Sequence, residues 1–222
     1  MLLAGGNTVP ATYNVAIDLR SHHIMLETDG LPIALLIIAY LFGSLNSAIV
    51  LCKLASLPDP RTQGSGNPGA TNVLRFGGKK LAATVLFFDV LKGVIPVVVA
   101  HLLALDMVWV TATAFAAFIG HLFPLFFQFK GGKGVATALG GFLALSPALA
   151  GAGLLTWLLM FTISRISSLS ALTAAALTPV YSLWLIDSVE ARWLILLIAV
   201  ILIGRHHGNI RRLISGEEGK SA

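Results

Sequence analysis

Apolar residues run along this chain in blocks long enough to cross a bilayer, at roughly 31–54, 81–104, 108–127, 134–163, 168–187 and 191–204. A transmembrane helix needs about 20 such residues, so the expected fold is all-α, a polytopic integral membrane protein. The fourth block is too long for one crossing. At ~1.5 Å per residue it would reach about 45 Å, against a hydrocarbon core of roughly 30 Å. It also carries Gly140-Gly141 and Ser146-Pro147 in its interior, and proline disrupts a helix there. Two shorter helices are expected, making about seven in all.

Charge supports that count, because Lys and Arg are retained on the cytoplasmic side. Lys53, Arg61, Arg75, Lys79 and Lys80 follow the first block, and Lys130 and Lys133 follow the third. If 134–163 is a hairpin, Arg165 and the basic C-terminal stretch with Arg205, Arg211, Arg212 and Lys220 stay on that same side. The N-terminus is then outside and the C-terminus inside. A single crossing over 134–163 would put the basic C-terminus outside.

The composition agrees with a membrane domain and with little else: 56% hydrophobic residues, 11% charged and a mean hydropathy of +0.86 are not a soluble composition. One membrane-embedded domain is expected over 25–222. Residues 1–24 form an N-terminal extension with neither a span nor the pattern of a targeting signal, and Met25 is a candidate start. The extension is expected to be disordered and dispensable. Cys52, the single cysteine, excludes an intrachain disulfide and reads as a small core residue. The net charge of +5 lies in short loops with few aromatics, so no nucleic acid is expected as a partner.

Three polar segments are too rich in glycine, charge and short hydrogen-bonding groups to be plain connections, and the topology puts all three on the cytoplasmic side. The first runs from Asp59 to Arg75 and contains Gly64-Ser65-Gly66-Asn67-Pro68-Gly69-Ala70-Thr71-Asn72. Glycines let backbone N–H groups approach an anion, and Arg75 adds a planar bidentate cation. The plain alternative is a turn capping the next helix. The second runs from Gly120 to Thr137 and places Gly131-Gly132-Lys133-Gly134 directly before an apolar helix, whose positive N-terminal end suits a phosphate. It is not a Walker A loop, which needs Ser or Thr after the lysine; the plain alternative is a basic turn. The third runs from Gly204 to Glu218, and a helix continuing through it would place His206 and Asn209 on one face. By itself its basic cluster is a topology anchor. Its adjacent His206 and His207 point apart on a helix with no carboxylate at helical spacing, so no metal is expected.

His101 and Asp106 form a His-x4-Asp pair, a pattern found in a different, larger class of glycerolipid acyltransferases with a histidine base. The topology places this pair across the membrane from every phosphate-suited loop, which argues for coincidence.

The stretches GSGNPGATNVLR, GHLFPLFFQFKGGKGVAT and RHHGNIRRLISGEE resemble, in order and spacing, the three signature segments of the bacterial acyl-phosphate:glycerol-3-phosphate acyltransferase (PlsY) family. The similarity runs from about Leu31 to Glu218. The resemblance implies a seven-helix fold in the bacterial inner membrane with its active site facing the cytoplasm. It implies glycerol 3-phosphate as acceptor, acyl phosphate as donor, and lysophosphatidic acid as product, at the start of phospholipid synthesis. No cofactor, metal, coenzyme A or acyl carrier protein is implied; membrane lipid and functional coupling to an acyl-phosphate-forming enzyme are.

Carried over by position, the resemblance implies catalytic roles for Ser65, His121 and His206. Substrate binding falls to Asn67, Thr71, Asn72, Arg75, Lys130, Gly131, Gly132, Lys133, Gly134 and Asn209. Within this set Arg75, Lys130 and Asn209 are expected on the acceptor phosphate and the Gly131–Gly134 loop on the donor phosphate. The acceptor's proton has three candidate destinations: His206, Ser65 relayed by a histidine, or a phosphate oxygen of the substrate. A transporter for an anionic metabolite is the main rival; it would carry charge near the midplane and repeat symmetry, whereas the polar groups here gather at one face. A related enzyme using acyl-CoA or acyl carrier protein would need surface for a large carrier.

The hairpin reading makes a topological prediction. With Cys52 replaced, a single cysteine at position 165 is expected to react only with reagents on the cytoplasmic side. Reaction only from outside would require six spans or a crossing elsewhere.

Overall fold

The structure, a computed structural model, describes residues 30–219; the expected boundary at Met25 lies outside the described residues. By packing, the chain divides into a short N-terminal unit, Met1–Ala34, and a body, Leu35–Ala222, that carries the features below. The described residues form helices α1 (Gly30–Gly43), α2 (Ser47–Leu54), α3 (Ala70–Leu102), α4 (Met107–Leu122), α5 (Val135–Leu145), α6 (Pro147–Ser164), α7 (Ser167–Leu185), α8 (Val189–Arg205) and α9 (His207–Ile214). Every expected apolar segment is helical. Among the described residues, α3, Met107–Phe127, α6 and α7 have the length and composition of a full span, and the bent α1–α2 pair makes a fifth. The 11 residues of α5 reach only about 16 Å, half of a hydrocarbon core.

The long fourth block breaks where its sequence says it should. Ser146 is extended, its hydroxyl accepts the Leu149 N–H at 3.3 Å, and Pro147 starts α6. Proline is suited to a first helical position because that N–H has no intrahelical partner.

Three other boundaries differ from the hydropathy pattern. The first block bends by 41° between α1 and α2. Asn46 caps α2 by accepting the Ile49 N–H at 3.1 Å, which keeps that N–H from a backbone carbonyl. Second, α3 starts at Ala70, inside the first polar segment, and turns sharply at Gly78 (φ 80°), a backbone conformation that favours glycine. Third, the last helix does not run through the third segment: it ends at Arg205, and His206 joins α8 to α9.

Small residues set the helix spacing. A Cβ added at Gly93 of α3 would fall on the Thr137 carbonyl of α5, and one at Gly140 on the Val90 carbonyl. Gly43 of α1 and Gly120 of α4 likewise sit against the Ala117 and Tyr40 carbonyls. Where lipid is as apolar as the side chains, close backbone approach supplies the packing that a hydrophobic drive cannot. Phe118, Leu122, Leu149, Ile195 and Ile198 fill the main core.

Within this bundle lies a buried ion pair, Lys92 Nζ to Asp89 at 2.8 Å. Lys92 also donates to the Leu45 carbonyl at 3.0 Å, in the break between α1 and α2. Ser47 at the start of α2 donates to Asp89 at 2.5 Å, and His121 Nδ1 of α4 lies 3.5 Å from the same carboxylate oxygen. Paired and hydrogen-bonded, these charges are tolerable in the interior; either one alone would be strongly destabilising.

The close contacts at α3 and α5 predict a contrast. Gly140→Leu, overpacked against the Val90 carbonyl, is expected to lose about 1–3 kcal/mol or fail to assemble. Gly151→Leu, where an added Cβ meets nothing within 4 Å, is expected to unfold like the parent. Thermal unfolding in detergent measures both.

Candidate active site

The first polar segment is held from beneath by Asn72. Its carboxamide donates to the Pro60 and Gln63 carbonyls, both at 2.9 Å, and accepts the Ser65 N–H at 3.0 Å. This side chain is buried and its amide is committed to shaping the loop. Gly64, at φ 53°, packs so tightly that an added Cβ would fall on the Asn72 oxygen. The start of α3 then presents Thr71 and Arg75, four residues apart, on one face. Arg75 is exposed and faces no carboxylate within ion-pair distance among the described residues. The Ser65 hydroxyl likewise has no hydrogen-bond partner among them.

The second segment wraps the end of α4. Gly132 donates its N–H to the His121 carbonyl at 3.1 Å, and a Cβ added there would fall on the His121 ring. Arg205 Nη2, from the end of α8, donates to the Gly131 and Gly132 carbonyls at 3.3 and 3.2 Å, while its guanidinium lies 5.3 Å from the Phe123 ring centre. These bonds turn the loop's carbonyls toward Arg205. The N–H groups of Lys133 and Gly134, by contrast, donate to no protein acceptor among the described residues. They stand beside the first turn of α5, which is the arrangement that binds a phosphate.

The third segment closes the site through a carboxylate absent from the expected set. Glu218 accepts from Ser168 Oγ, Asn209 Nδ2 and Arg212 Nε, each at 2.6 Å. Asn209, oriented by this bond, accepts from Lys133 Nζ at 2.5 Å. Burial, reinforced by Arg212, Arg205 and Arg75, pushes the Lys133 ammonium down to about 8, against the opposing pull of Glu218. Burial raises the Glu218 carboxyl, but its three donors outweigh that and hold it below the usual range.

His206 is buried, and its Nδ1 lies 2.8 Å from the Leu202 carbonyl. That contact assigns the ring proton to Nδ1 and leaves Nε2 with a lone pair. Burial pushes its pKa down to about 4, so the ring is neutral near pH 7.

Ser65, Asn67, Thr71, Asn72, Arg75, His121, Lys133, Gly134, His206 and Asn209 all line one cavity of about 790 Å³. Gly131 and Gly132 lie buried behind it against His121. Lys130 does not join them: Gln128 and Phe129, both left-handed at φ 59°, turn the chain before it, and it is exposed outside the lining. His101 and Asp106 are also outside the lining, at the far end of α3. Arg205, Arg212, Glu218 and Ser168 are the residues that sequence reasoning missed. The first three lay within the third motif, where a topology anchor explained the charge of the two arginines; Ser168, in the first turn of α7, gave no signal.

The family model described as glycerol-3-phosphate acyltransferase matches residues 33–216. A glycerol-3-phosphate acyltransferase of Thioalkalivibrio sulfidiphilus is 57% identical over 190 residues, covering 84% of this chain and 92% of the relative. One from Shewanella sediminis is 52% identical over 190 residues, covering 86% and 94%. The crystal structure of PlsY (YgiH), an integral membrane glycerol 3-phosphate acyltransferase, superposes in its glycerol 3-phosphate form with a TM-score of 0.82. It is 40% identical, over 86% of this chain and 96% of that one; its lysophosphatidic acid form gives 0.79, with 85% and 94% covered. The protein is thus membrane-embedded, and the chain belongs to the glycerol-3-phosphate acyltransferase (PlsY) family.

Proposed function

We propose that this protein transfers a fatty acyl group from acyl phosphate to the 1-hydroxyl of glycerol 3-phosphate. The products are lysophosphatidic acid and phosphate, formed at the cytoplasmic face of the bacterial inner membrane as the first step of phospholipid synthesis, in functional coupling with an acyl-phosphate-forming enzyme. The observation that carries this reading is one cavity with two chemistries. At its polar end Arg75, Lys133 and Arg212 stand with the carboxylates of Glu217 and Glu218; from there it continues among Ala138, Phe142, Leu149 and Ala175. Arg75, with no carboxylate at ion-pair distance among the described residues, and the Lys133 and Gly134 N–H groups without a protein acceptor call for phosphate, and the apolar continuation for an acyl chain. The solved relatives' glycerol 3-phosphate and lysophosphatidic acid forms match an acceptor and a product of this kind.

In this mechanism Arg75 holds the acceptor phosphate, and the Lys133 and Gly134 N–H groups with the Lys133 ammonium hold the donor phosphate. Lys130 takes no part. The acceptor hydroxyl oxygen attacks the acyl carbonyl; the ester C–O bond forms as the C–O bond to phosphate breaks, and phosphate leaves with the electron pair. A mixed anhydride has a good leaving group, so placement and charge neutralisation do most of the work. His206 near 4 is a weak base at neutral pH, whereas a phosphate monoester titrates near ~6. A general base works best with a pKa near the operating pH, so the proton of the attacking hydroxyl passes to a substrate phosphate oxygen, while His206 Nε2 accepts from the neighbouring 2-hydroxyl and so orients the acceptor. Purified protein given glycerol 3-phosphate with acyl phosphate, acyl-CoA or acyl carrier protein tests the donor. Product is expected from acyl phosphate alone, and product from acyl-CoA alone would overturn this reading.

Two substitutions separate the phosphates. Arg75→Lys, which loses a bidentate fork, is expected chiefly to raise KM for glycerol 3-phosphate, and Lys133→Ala chiefly to impair use of acyl phosphate. A charge-assisted contact is worth about 1.5–3 kcal/mol, so kcat/KM is expected to fall by roughly ten- to a hundredfold. Steady-state kinetics with each substrate varied checks this, and exchanged effects would reverse the assignment.

The depressed Lys133 predicts a pH limb. The free enzyme loses this ammonium as pH rises through about 8, so kcat/KM for the donor is expected to decline above that point. Bound phosphate favours the charged form, so the limb in kcat lies at higher pH. A kcat/KM profile flat well beyond pH 8 would remove Lys133 from donor binding.

A further inference from the structure

Asp89 belongs to none of the three polar segments and lies well inside α3, yet it is buried and lines the same cavity as His121 and Lys133. Three groups from three helices meet its Oδ1: the Ser47 hydroxyl of α2 at 2.5 Å, the Lys92 ammonium of α3 at 2.8 Å and His121 Nδ1 of α4 at 3.5 Å. His121 Nδ1 is buried and has no other hydrogen-bond partner among the described residues, so the carboxylate is the polar group that fixes which way the ring turns. The far edge of the ring carries the phosphate loop. A Cβ added to Gly132 would fall on His121 Nε2, and the His121 carbonyl accepts the Gly132 N–H at 3.1 Å. Ring and backbone of one histidine thus seat the loop directly before the Lys133 and Gly134 N–H groups. Neutralising Lys92 does not by itself call for this arrangement. A buried pair returns little net stability for its desolvation, and an i, i+3 partner on α3 needs no contact with α4.

We propose that Asp89 is a positioning residue for the reaction: by holding the His121 ring it sets the Gly132 backbone, and with it the phosphate-binding N–H groups of Lys133 and Gly134. The inference rests on the reading above that this loop holds a substrate phosphate, which that reading assigns to the donor. His121 acts here as a seat for the loop and not as a base. A phosphate held by adjacent N–H groups is sensitive to small displacements, and a shift of about 1 Å costs up to roughly a hundredfold. A ring locked by its neighbours is what keeps such a loop in register.

Asp89→Asn alone would leave the Lys92 ammonium buried without a counter-charge, so the test uses Asp89→Asn/Lys92→Gln, which removes both charges and keeps a donor for the Leu45 carbonyl. Steady-state kinetics with each substrate varied is the measurement. The double variant is expected to raise KM about tenfold for the substrate whose use Lys133→Ala impairs, acyl phosphate in the reading above. KM for the other substrate is expected to stay near the parent value. Parent-like KM for both substrates would mean that Asp89 serves only to neutralise Lys92, and overturns the proposal; so do equal rises in both, or a fall in kcat alone. His121→Gln is expected to raise the same KM, and its combination with the double variant to add little, because both act through one ring. A parent-like His121→Gln, or losses that multiply, overturns the proposal equally. If the double variant does not accumulate, Asp89→Glu takes its place with the same readings, since it keeps the charge beside Lys92 and displaces the carboxylate from Nδ1. Failure of the donor assignment shows separately, as a Lys133→Ala variant impaired in glycerol 3-phosphate, and the Asp89 effect is then read on that substrate. Parent-like kinetics in Lys133→Ala removes the phosphate loop and this proposal with it.

Discussion

The Lys92 ammonium, buried beside Asp89, is the interaction on which the rest of this structure depends. In hydrocarbon every backbone polar group needs an internal partner. The break between α1 and α2 takes one away, because Asn46 claims the Ile49 N–H and the Leu45 carbonyl turns to Lys92 instead. Asp89 makes that cation tolerable and also holds Ser47, so the bend of the first span is tied to the axis of α3. The same carboxylate faces His121, whose ring forms the surface on which Gly132 rests. One ion pair thus links the element leading into the first polar segment to the floor of the second.

Above that floor, the site is organised by Glu218. It gathers Ser168, Asn209 and Arg212, and Asn209 passes this order to Lys133. Among these cations Arg212 alone is ion-paired with Glu218, and the depressed Lys133 records its burial first and the repulsion of Arg212, Arg205 and Arg75 after it. In the proposed reaction a bound phosphate relieves both. The Glu218 network thus sets the shape of the polar end and leaves Arg75 without a carboxylate partner among the described residues.

The position of α5 explains how a polar and an apolar end share one cavity. Its N-cap Gly134 and the first-turn residues Val135 and Ala136 line the cavity. Its body packs at backbone distance against α3 through Gly93 and Gly140. That close contact draws α5 toward α3, and its other side contributes Ala138, Leu139 and Phe142 to the apolar end bordered by α6 and α7.

Much of this was legible in the sequence, for identifiable reasons. Helical spans were readable because a bilayer demands long apolar runs, and the break before Pro147 because a 30-residue apolar run exceeds what the core accommodates. The three glycine-rich segments stood out because phosphate binding needs close backbone approach and cations next to each other in the chain. What depends on residues far apart in sequence was not readable. Asp89 and Lys92 gave no signal inside the second apolar block; their pairing matters because Ser47, Leu45 and His121, from other parts of the chain, meet them. Asn72 looked like a substrate ligand until its amide proved to be spent on Pro60, Gln63 and Ser65. Lys130 and Lys133, three residues apart, read as cations for the acceptor and the donor phosphate; a left-handed turn at Gln128 and Phe129 precedes Lys130, which is exposed outside the cavity lining, while Lys133 lies against Asn209. Local composition declares which chemistry is available, but which side chain meets which is a sum of small long-range contacts that only the folded chain resolves.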